Sequence, residues 1–100
     1  MPELVLGLMI VAEHYRKADT AMVITSVNDS GRVHRFASLH AVGAAADIRT
    51  KSLPLDRAGK IHFVQQITYD LGENYDCILE GVGTPNEHLH IEYQPHRAAL

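Results

Sequence analysis

The sequence predicts an α+β domain, in which a small antiparallel sheet carries helices on one face and leaves an open groove on the other. A chain of 100 residues has the length of one domain with a modest core. Its apolar fraction of 46% and charged fraction of 21% are those of an ordinary globular protein. Segments with helical and strand periodicity then follow one another in the order α-β-β-α-β-β, which favours two helices covering one face of a sheet.

Two segments have the periodicity of helices. Residues 4–17 place apolar side chains every third or fourth position and end on two basic residues, which suit a helix C-terminus. The second helix starts after Asp56, a good N-cap residue, and runs to about Leu71, ahead of a C′ glycine at Gly72. The predicted apolar stripes are Leu4, Leu8, Val11 and Tyr15 in the first helix, and Ile61, Val64, Ile67, Thr68 and Leu71 in the second.

Four segments have the composition of strands, and turn or loop residues separate them. They are residues 21–27, 44–49, 75–80 and 88–93. Residues 28–31 are a predicted turn, residues 32–39 an irregular loop, and the last five residues a frayed end. Strict alternation in the last strand puts one set of side chains in the core and the other on the groove face. The core set is Leu89, Ile91 and Tyr93, joined by Ile48, and the groove set is His88, His90 and Glu92.

Charge and hydropathy exclude several classes of partner. The net charge of -3 argues against a nucleic-acid footprint. The apolar run of residues 4–12 is too short to cross a bilayer, so no membrane insertion is expected. It also lacks the basic segment and cleavage site of a signal peptide. We therefore expect synthesis in the cytoplasm without a signal peptide.

Imidazoles and a carboxylate recur in two separated stretches. His40 and Asp47 lie seven positions apart, and His88 and His90 alternate in the last strand. Zinc takes nitrogen and oxygen ligands, and a catalytic zinc site uses three of them. Two histidines and one aspartate meet this requirement if the strands that carry them are neighbours.

These stretches resemble a known family. The pattern S-x-H-x-x-G-x-A-x-D with a later H-x-H is similar to the zinc D-alanyl-D-alanine carboxypeptidases and L-alanyl-D-glutamate endopeptidases, which share a fold with lysostaphin-like enzymes and the hedgehog domain. The resemblance covers residues 22–95 approximately. The matched positions of the first motif are Ser38, His40, Gly43, Ala45 and Asp47.

The resemblance implies one zinc ion bound by His40, Asp47 and His90 in the open groove. It implies a general base as well, for which the chain offers three candidates. Glu87 stands three positions before the last zinc histidine, where the peptidoglycan D,D-peptidases carry an acidic residue. His88 is the first histidine of H-x-H, which lysostaphin-like relatives use. The third candidate is Glu80, at the end of a predicted strand.

Substrate contacts are less well defined by the motif. Many family members carry an arginine shortly after a Thr-Ser pair, whereas here Val27 and Asn28 follow that pair. Arg35 is a candidate for this role of binding the substrate and its oxyanion, as are Arg32 and Arg49; the alternative is that zinc alone polarises the carbonyl. Ser38 is a second candidate for a substrate contact.

The function that the resemblance implies is hydrolysis of amide bonds in peptidoglycan stem peptides. We expect a phage or prophage endolysin-type enzyme that reaches the wall after release from the cell or as part of a virion. The alternative is a zinc-stabilised binding or virion structural module of the same fold without turnover. The pattern leaves open which bond is cut, the oligomeric state, and a phage or bacterial origin.

Overall fold

The computed structural model describes residues 2–29 and 44–95, which form two helices and a four-stranded antiparallel sheet. This confirms the predicted α+β class and the antiparallel sheet. The strands lie in the order β1-β2-β4-β3 across the sheet. The elements are α1 (Pro2–Lys17), β1 (Ile24–Asp29), β2 (Ala44–Arg49), α2 (Arg57–Leu71), β3 (Tyr75–Glu80) and β4 (His88–Tyr93).

Strands β2 and β4 are adjacent, as the groove prediction requires. Asp47 pairs with His90 and Ile48 pairs with Leu89 in an antiparallel register. Because side chains alternate along each strand, this register sends the polar pair to one face and the apolar pair to the other. Ile48, Leu89 and Ile91 are fully buried, whereas Tyr93 is only partly buried.

The core lies between the apolar sheet face and the two helices. Helix α1 contacts β4, α2 contacts β3, and the helices contact each other. The opposite side of the sheet has no helix against it within the described residues. The buried cluster draws on both helices and the central strands: Leu4, Val11, Tyr15, Ala44, Ala46, Ile48, Leu53, Val64, Ile67, Leu71, Leu89 and Ile91.

Helix α1 begins at Pro2, two residues earlier than predicted, because proline is well tolerated in the first turn of a helix. Its buried face includes Gly7, and a Cβ atom at that position would lie 2.7 Å from a ring carbon of Tyr75. The Tyr75 hydroxyl donates a hydrogen bond to the Glu3 carbonyl at 2.5 Å. The glycine therefore lets the ring pack against the helix backbone.

Helix α2 has the predicted ends. The Asp56 carboxylate accepts a hydrogen bond from Gly59 N–H at 2.8 Å, and Gly72 ends the helix with φ +86°. The predicted stripe is partly wrong, because Ile61 is 43% exposed and Thr68 is also exposed. The helix presents a narrower face to the core than the sequence pattern indicated.

Strand β1 is shifted relative to its predicted bounds of 21–27. It starts at Ile24 and continues through Asn28, which was predicted as part of a turn. Asn28 pairs with Ala45, so cross-strand hydrogen bonding to β2 overrides the local turn preference. Within the described ranges no helix is long and apolar enough to cross a membrane.

Candidate metal and catalytic site on the open sheet face

The open face is the side of the sheet that faces away from the helices. The β-strand register places chemically active side chains in two neighbouring rows across this face. Antiparallel pairing brings residues from distant parts of the chain directly opposite one another. One row contains Asp47 and His90, with the aliphatic Ile78 at its end, and the next is Arg49, His88 and Glu80.

Asp47 and His90 form the centre of the first row. Asp47 Oδ1 lies 2.8 Å from His90 Nδ1, and His90 Nε2 lies 3.1 Å from a carboxylate oxygen of Glu92. Both side chains are about 30% exposed, so the pair is partly accessible from the open face.

Asp47 and His90 would have to move apart to bind a zinc ion together. Zinc bonds to nitrogen and oxygen of about 2.0–2.2 Å put two tetrahedral ligands about 3.3 Å apart. The Asp47–His90 contact of 2.8 Å therefore needs to open by only about half an ångström to admit the ion. An imidazole nitrogen and a carboxylate oxygen are also donors that zinc prefers.

The carboxylates around His90 favour its protonated form. Burial alone lowers the pKa of His90, but hydrogen bonds with Asp47 and Glu92 outweigh burial and leave that pKa above its ordinary value.

His88 stands beside this pair in the next row. Its Nδ1 lies 2.7 Å from the Asn86 carbonyl oxygen, and its Nε2 lies 2.8 Å from Glu80 Oε1 and 3.8 Å from Asp47 Oδ1. A carbonyl oxygen can only accept, so Nδ1 carries a proton and Nε2 is the nitrogen that gains or loses one. The Asn86 carbonyl and then the Glu80 carboxylate raise the pKa of His88, against the opposing effect of burial.

Glu87 occupies a different environment from the two histidines that follow it. Its side chain is 4% exposed and forms a salt bridge with Lys60 at 2.7 Å. It also accepts hydrogen bonds from the Thr50 hydroxyl at 2.6 Å and from Gly83 N–H at 3.1 Å. Burial raises the pKa of Glu87, but these donors outweigh it and hold that pKa below its usual range.

These contacts are those of a structural carboxylate that joins three segments of the chain. The catalytic role of Glu87 remains a prediction, but its contacts do not favour that role, because each donor competes with a reacting water. The sequence offered no signal for the Lys60 contact, since the partner lies 27 positions away on α2.

Four candidate site residues lie outside the described residues: the ligand His40, and the possible substrate contacts Arg32, Arg35 and Ser38. The predicted loop of residues 32–39 and the frayed C-terminal end also lie outside them. Within residues 2–29 and 44–95, no group of three or more His, Cys, Asp or Glu side chains is arranged to hold a metal ion. The described part of the predicted zinc site is therefore the pair Asp47 and His90.

A pocket of about 390 Å³ adjoins His88 at the end of β2. Its wall includes the cations Arg49 and Lys51 and the carboxylates Asp47 and Glu87. The sequence makes Arg49 a candidate oxyanion partner, whereas it gives no reason to expect Lys51 at this pocket. Lys51 lies in the loop after β2, where no sequence motif marks a functional residue.

Comparison of the chain with protein-family models, curated proteins and solved structures finds no match.

Proposed function

We propose that this chain is a zinc-dependent peptidase that hydrolyses amide bonds in peptidoglycan stem peptides, as a phage or prophage endolysin-type enzyme does. The observation that carries the proposal is the 2.8 Å contact between Asp47 and His90, because two donors 43 positions apart meet on an exposed sheet face. A second histidine, His88, stands beside them with Nε2 against a carboxylate. The S-x-H-x-x-G-x-A-x-D pattern ahead of and within β2 supports the same conclusion.

In this proposal His40, Asp47 and His90 hold one zinc ion, and the open face is the zinc-binding groove of a domain with the order α-β-β-α-β-β. Zinc bound there supplies a Lewis acid for the scissile carbonyl and makes water easier to deprotonate. Asp47 binds as the ionised carboxylate and the two histidines as neutral imidazoles.

His88 is the proposed general base, which transfers the proton of the attacking water. Its Nδ1 is held by the Asn86 carbonyl, so Nε2 takes the proton from the attacking water and returns it to the leaving amine. Nε2 must be unprotonated before this step; once it has taken the proton, it donates a hydrogen bond to Glu80, which stabilises the protonated ring until the proton passes to the amine. Among the three candidate bases we favour His88 with Glu80, because His88 is partly exposed beside Asp47, whereas the Glu87 side chain is 4% exposed and held by Lys60 and Thr50.

The test is digestion of purified peptidoglycan with zinc and with chelator, followed by mass analysis of the released fragments. We expect stem-peptide fragments with zinc alone, and the fragment masses identify the bond that is cut. His88→Ala should keep zinc and lose turnover on the order of 10²–10⁴-fold. His62→Ala is the matched control, since His62 is an exposed histidine on α2 outside the groove.

Two results would count against this account. If His88→Ala turns over at near the wild-type rate while Glu87→Gln folds but is inactive, the general base is Glu87 rather than His88. If the wild-type chain binds zinc but releases no fragment from peptidoglycan, the proposed peptidase function is wrong.

The second candidate is a non-catalytic zinc-stabilised binding module or virion structural module. The observation that favours it is the structural use of Glu87, since the carboxylate at the family's base position holds Lys60 instead. A zinc-dependent rise in melting temperature without any peptidoglycan cleavage would support this alternative. In either case we propose that the chain acts at the cell wall, after release from the cell or as part of a virion.

A further inference from the structure

Helix α1 exposes an apolar face on the side away from the core. Val5, Leu6 and Met9 are 55%, 57% and 63% exposed. A surface helix normally carries polar residues opposite the core, whereas a helix that is apolar all round is normally covered. The outward side of α2 follows the usual pattern, with the exposed residues His62 and Gln66. The apolar outward face of α1 is the exception, and such a face indicates an interaction surface.

The exposed residues of α1 have the spacing of a seam between two helices. Pro2, Leu6, Met9, Glu13 and Arg16 are all exposed, and alternating steps of four and three residues separate them. Two helices that pack side by side along their length use this spacing. The first half of the seam is apolar and the second half is charged, so the seam has a direction.

The charges at the two ends of α1 are opposite in sign. Glu3 lies in the first turn, whereas Arg16 and Lys17 lie in the last turn. Antiparallel pairing of two copies brings the acidic turn of one toward the basic turn of the other and opposes their helix dipoles favourably. Arg16 forms an ion pair with Glu13 of its own helix at 2.5 Å, but both side chains are exposed. Such a pair contributes little, so Arg16 can turn to a carboxylate of a second copy.

We propose that the exposed face of α1 is a homodimer interface, in which α1 packs against α1 of a second copy in antiparallel orientation. A two-fold axis between Leu6 and Met9 places Leu6 of one chain against Met9 of the other. It also places Glu3 about one helical turn from Arg16 of the second copy, a distance that the arginine side chain spans.

This arrangement leaves the open sheet face of each chain accessible. The helices lie on the core side of the sheet, so α1 pairing joins the two chains through the side opposite Asp47 and His90. A dimer of this kind presents two copies of the candidate site, which raises its avidity for a polymer with repeated sites.

The test measures self-association of the full chain by sedimentation equilibrium. We expect dimers with a dissociation constant on the order of 1–100 µM, since a single helix pair is a small interface. Met9→Glu places a charge in the middle of the seam and should raise this constant at least about tenfold. Ile78→Glu is the matched control, because it adds the same charge at a side chain that is 50% exposed on the open face, and it should leave the dimer unchanged.

Exchange of the end charges tests the orientation of the two helices. Glu3→Lys should weaken association by about three- to tenfold, because two ion pairs are lost in each dimer. Adding Arg16→Glu to the same chain reverses both charges and should restore association. A parallel dimer would show no recovery, since like ends would meet.

The proposal is overturned if the wild-type chain stays monomeric up to about 1 mM, or if Met9→Glu associates as wild type does. Absence of recovery in the double exchange would refute the antiparallel arrangement. A monomeric chain that sediments with vesicles of phosphatidylcholine and phosphatidylglycerol, and that loses this binding in Met9→Glu, would show that a lipid surface covers the face instead of a second copy.

Discussion

Replacing Glu87 should destabilise the fold rather than remove a catalytic group. The carboxylate is 4% exposed and neutralises Lys60, which is itself only 12% exposed. Glu87→Ala leaves that ammonium buried without a counter-charge, and it also removes the acceptor of Thr50 and Gly83. Breaking a buried ion pair from one side costs about 3–5 kcal/mol, a large part of the stability of a small domain.

The conservative variant keeps the measurement possible if the alanine variant does not fold. Glu87→Gln retains an oxygen acceptor but loses the charge, so we expect a smaller loss of about 1–3 kcal/mol in the free energy of unfolding. Urea denaturation at neutral pH measures both variants. Glu73→Ala is the control, because an exposed carboxylate of the same type should change stability by less than about 0.5 kcal/mol.

The stabilisation by Glu87 should also depend on pH in a definite direction. Its pKa in the folded state lies below its ordinary value of 4.5, so the folded state favours the ionised form. The stabilising effect is therefore complete above the unfolded-state pKa and declines as pH falls through the folded-state pKa. The difference in unfolding free energy between wild type and Glu87→Gln should be constant near neutrality and should shrink below about pH 4.5.

An unchanged urea midpoint in Glu87→Ala, together with lost peptidoglycan cleavage, would refute this reasoning. Glu87 would then be the base that its position three residues before His90 indicated. A Lys60→Met variant with wild-type stability would contradict the ion pair in the same way, because it leaves Glu87 buried without its cation.

Two further predictions follow from packing. Gly7→Ala should destabilise the fold by about 1–3 kcal/mol, because the added Cβ would lie 2.7 Å from the Tyr75 ring; a thermal midpoint at or above that of wild type would show that the ring moves freely. Tyr15→Phe should cost about 1 kcal/mol in urea denaturation through loss of the hydrogen bond to the Arg49 carbonyl, and an unchanged midpoint would mean that water replaces the hydroxyl.

The strand that carries the H-x-H pattern could be predicted from the sequence with the correct faces. Its apolar and polar residues alternate without exception from His88 to Glu92, and a period of two leaves one choice of buried face. The same argument places Asp47 on the polar face of β2, because the adjacent Ile48 has to be buried. That face continues into the polar face of β4, where Asp47 lies opposite His90.

The missed features depend on contacts between distant segments. Glu87 directly precedes β4, and nothing local indicates that Lys60 from α2 reaches it. Ile61 matches the helical period of the core stripe, yet it is 43% exposed because the core side of α2 is formed by Val64, Ile67 and Leu71. Asn28 has turn chemistry, but pairing with Ala45 keeps it in β1. Local sequence patterns do not contain the information about these contacts between distant segments.

Zinc stoichiometry tests the central claim most directly. Wild type, Asp47→Ala, His90→Ala and His40→Ala are stripped with chelator, titrated with zinc by calorimetry and checked by elemental analysis. The account predicts about one zinc per wild-type chain and loss of tight binding in all three variants, with His62→Ala unchanged. Wild-type zinc content in folded Asp47→Ala or His90→Ala would contradict the assignment of the 2.8 Å pair as metal ligands.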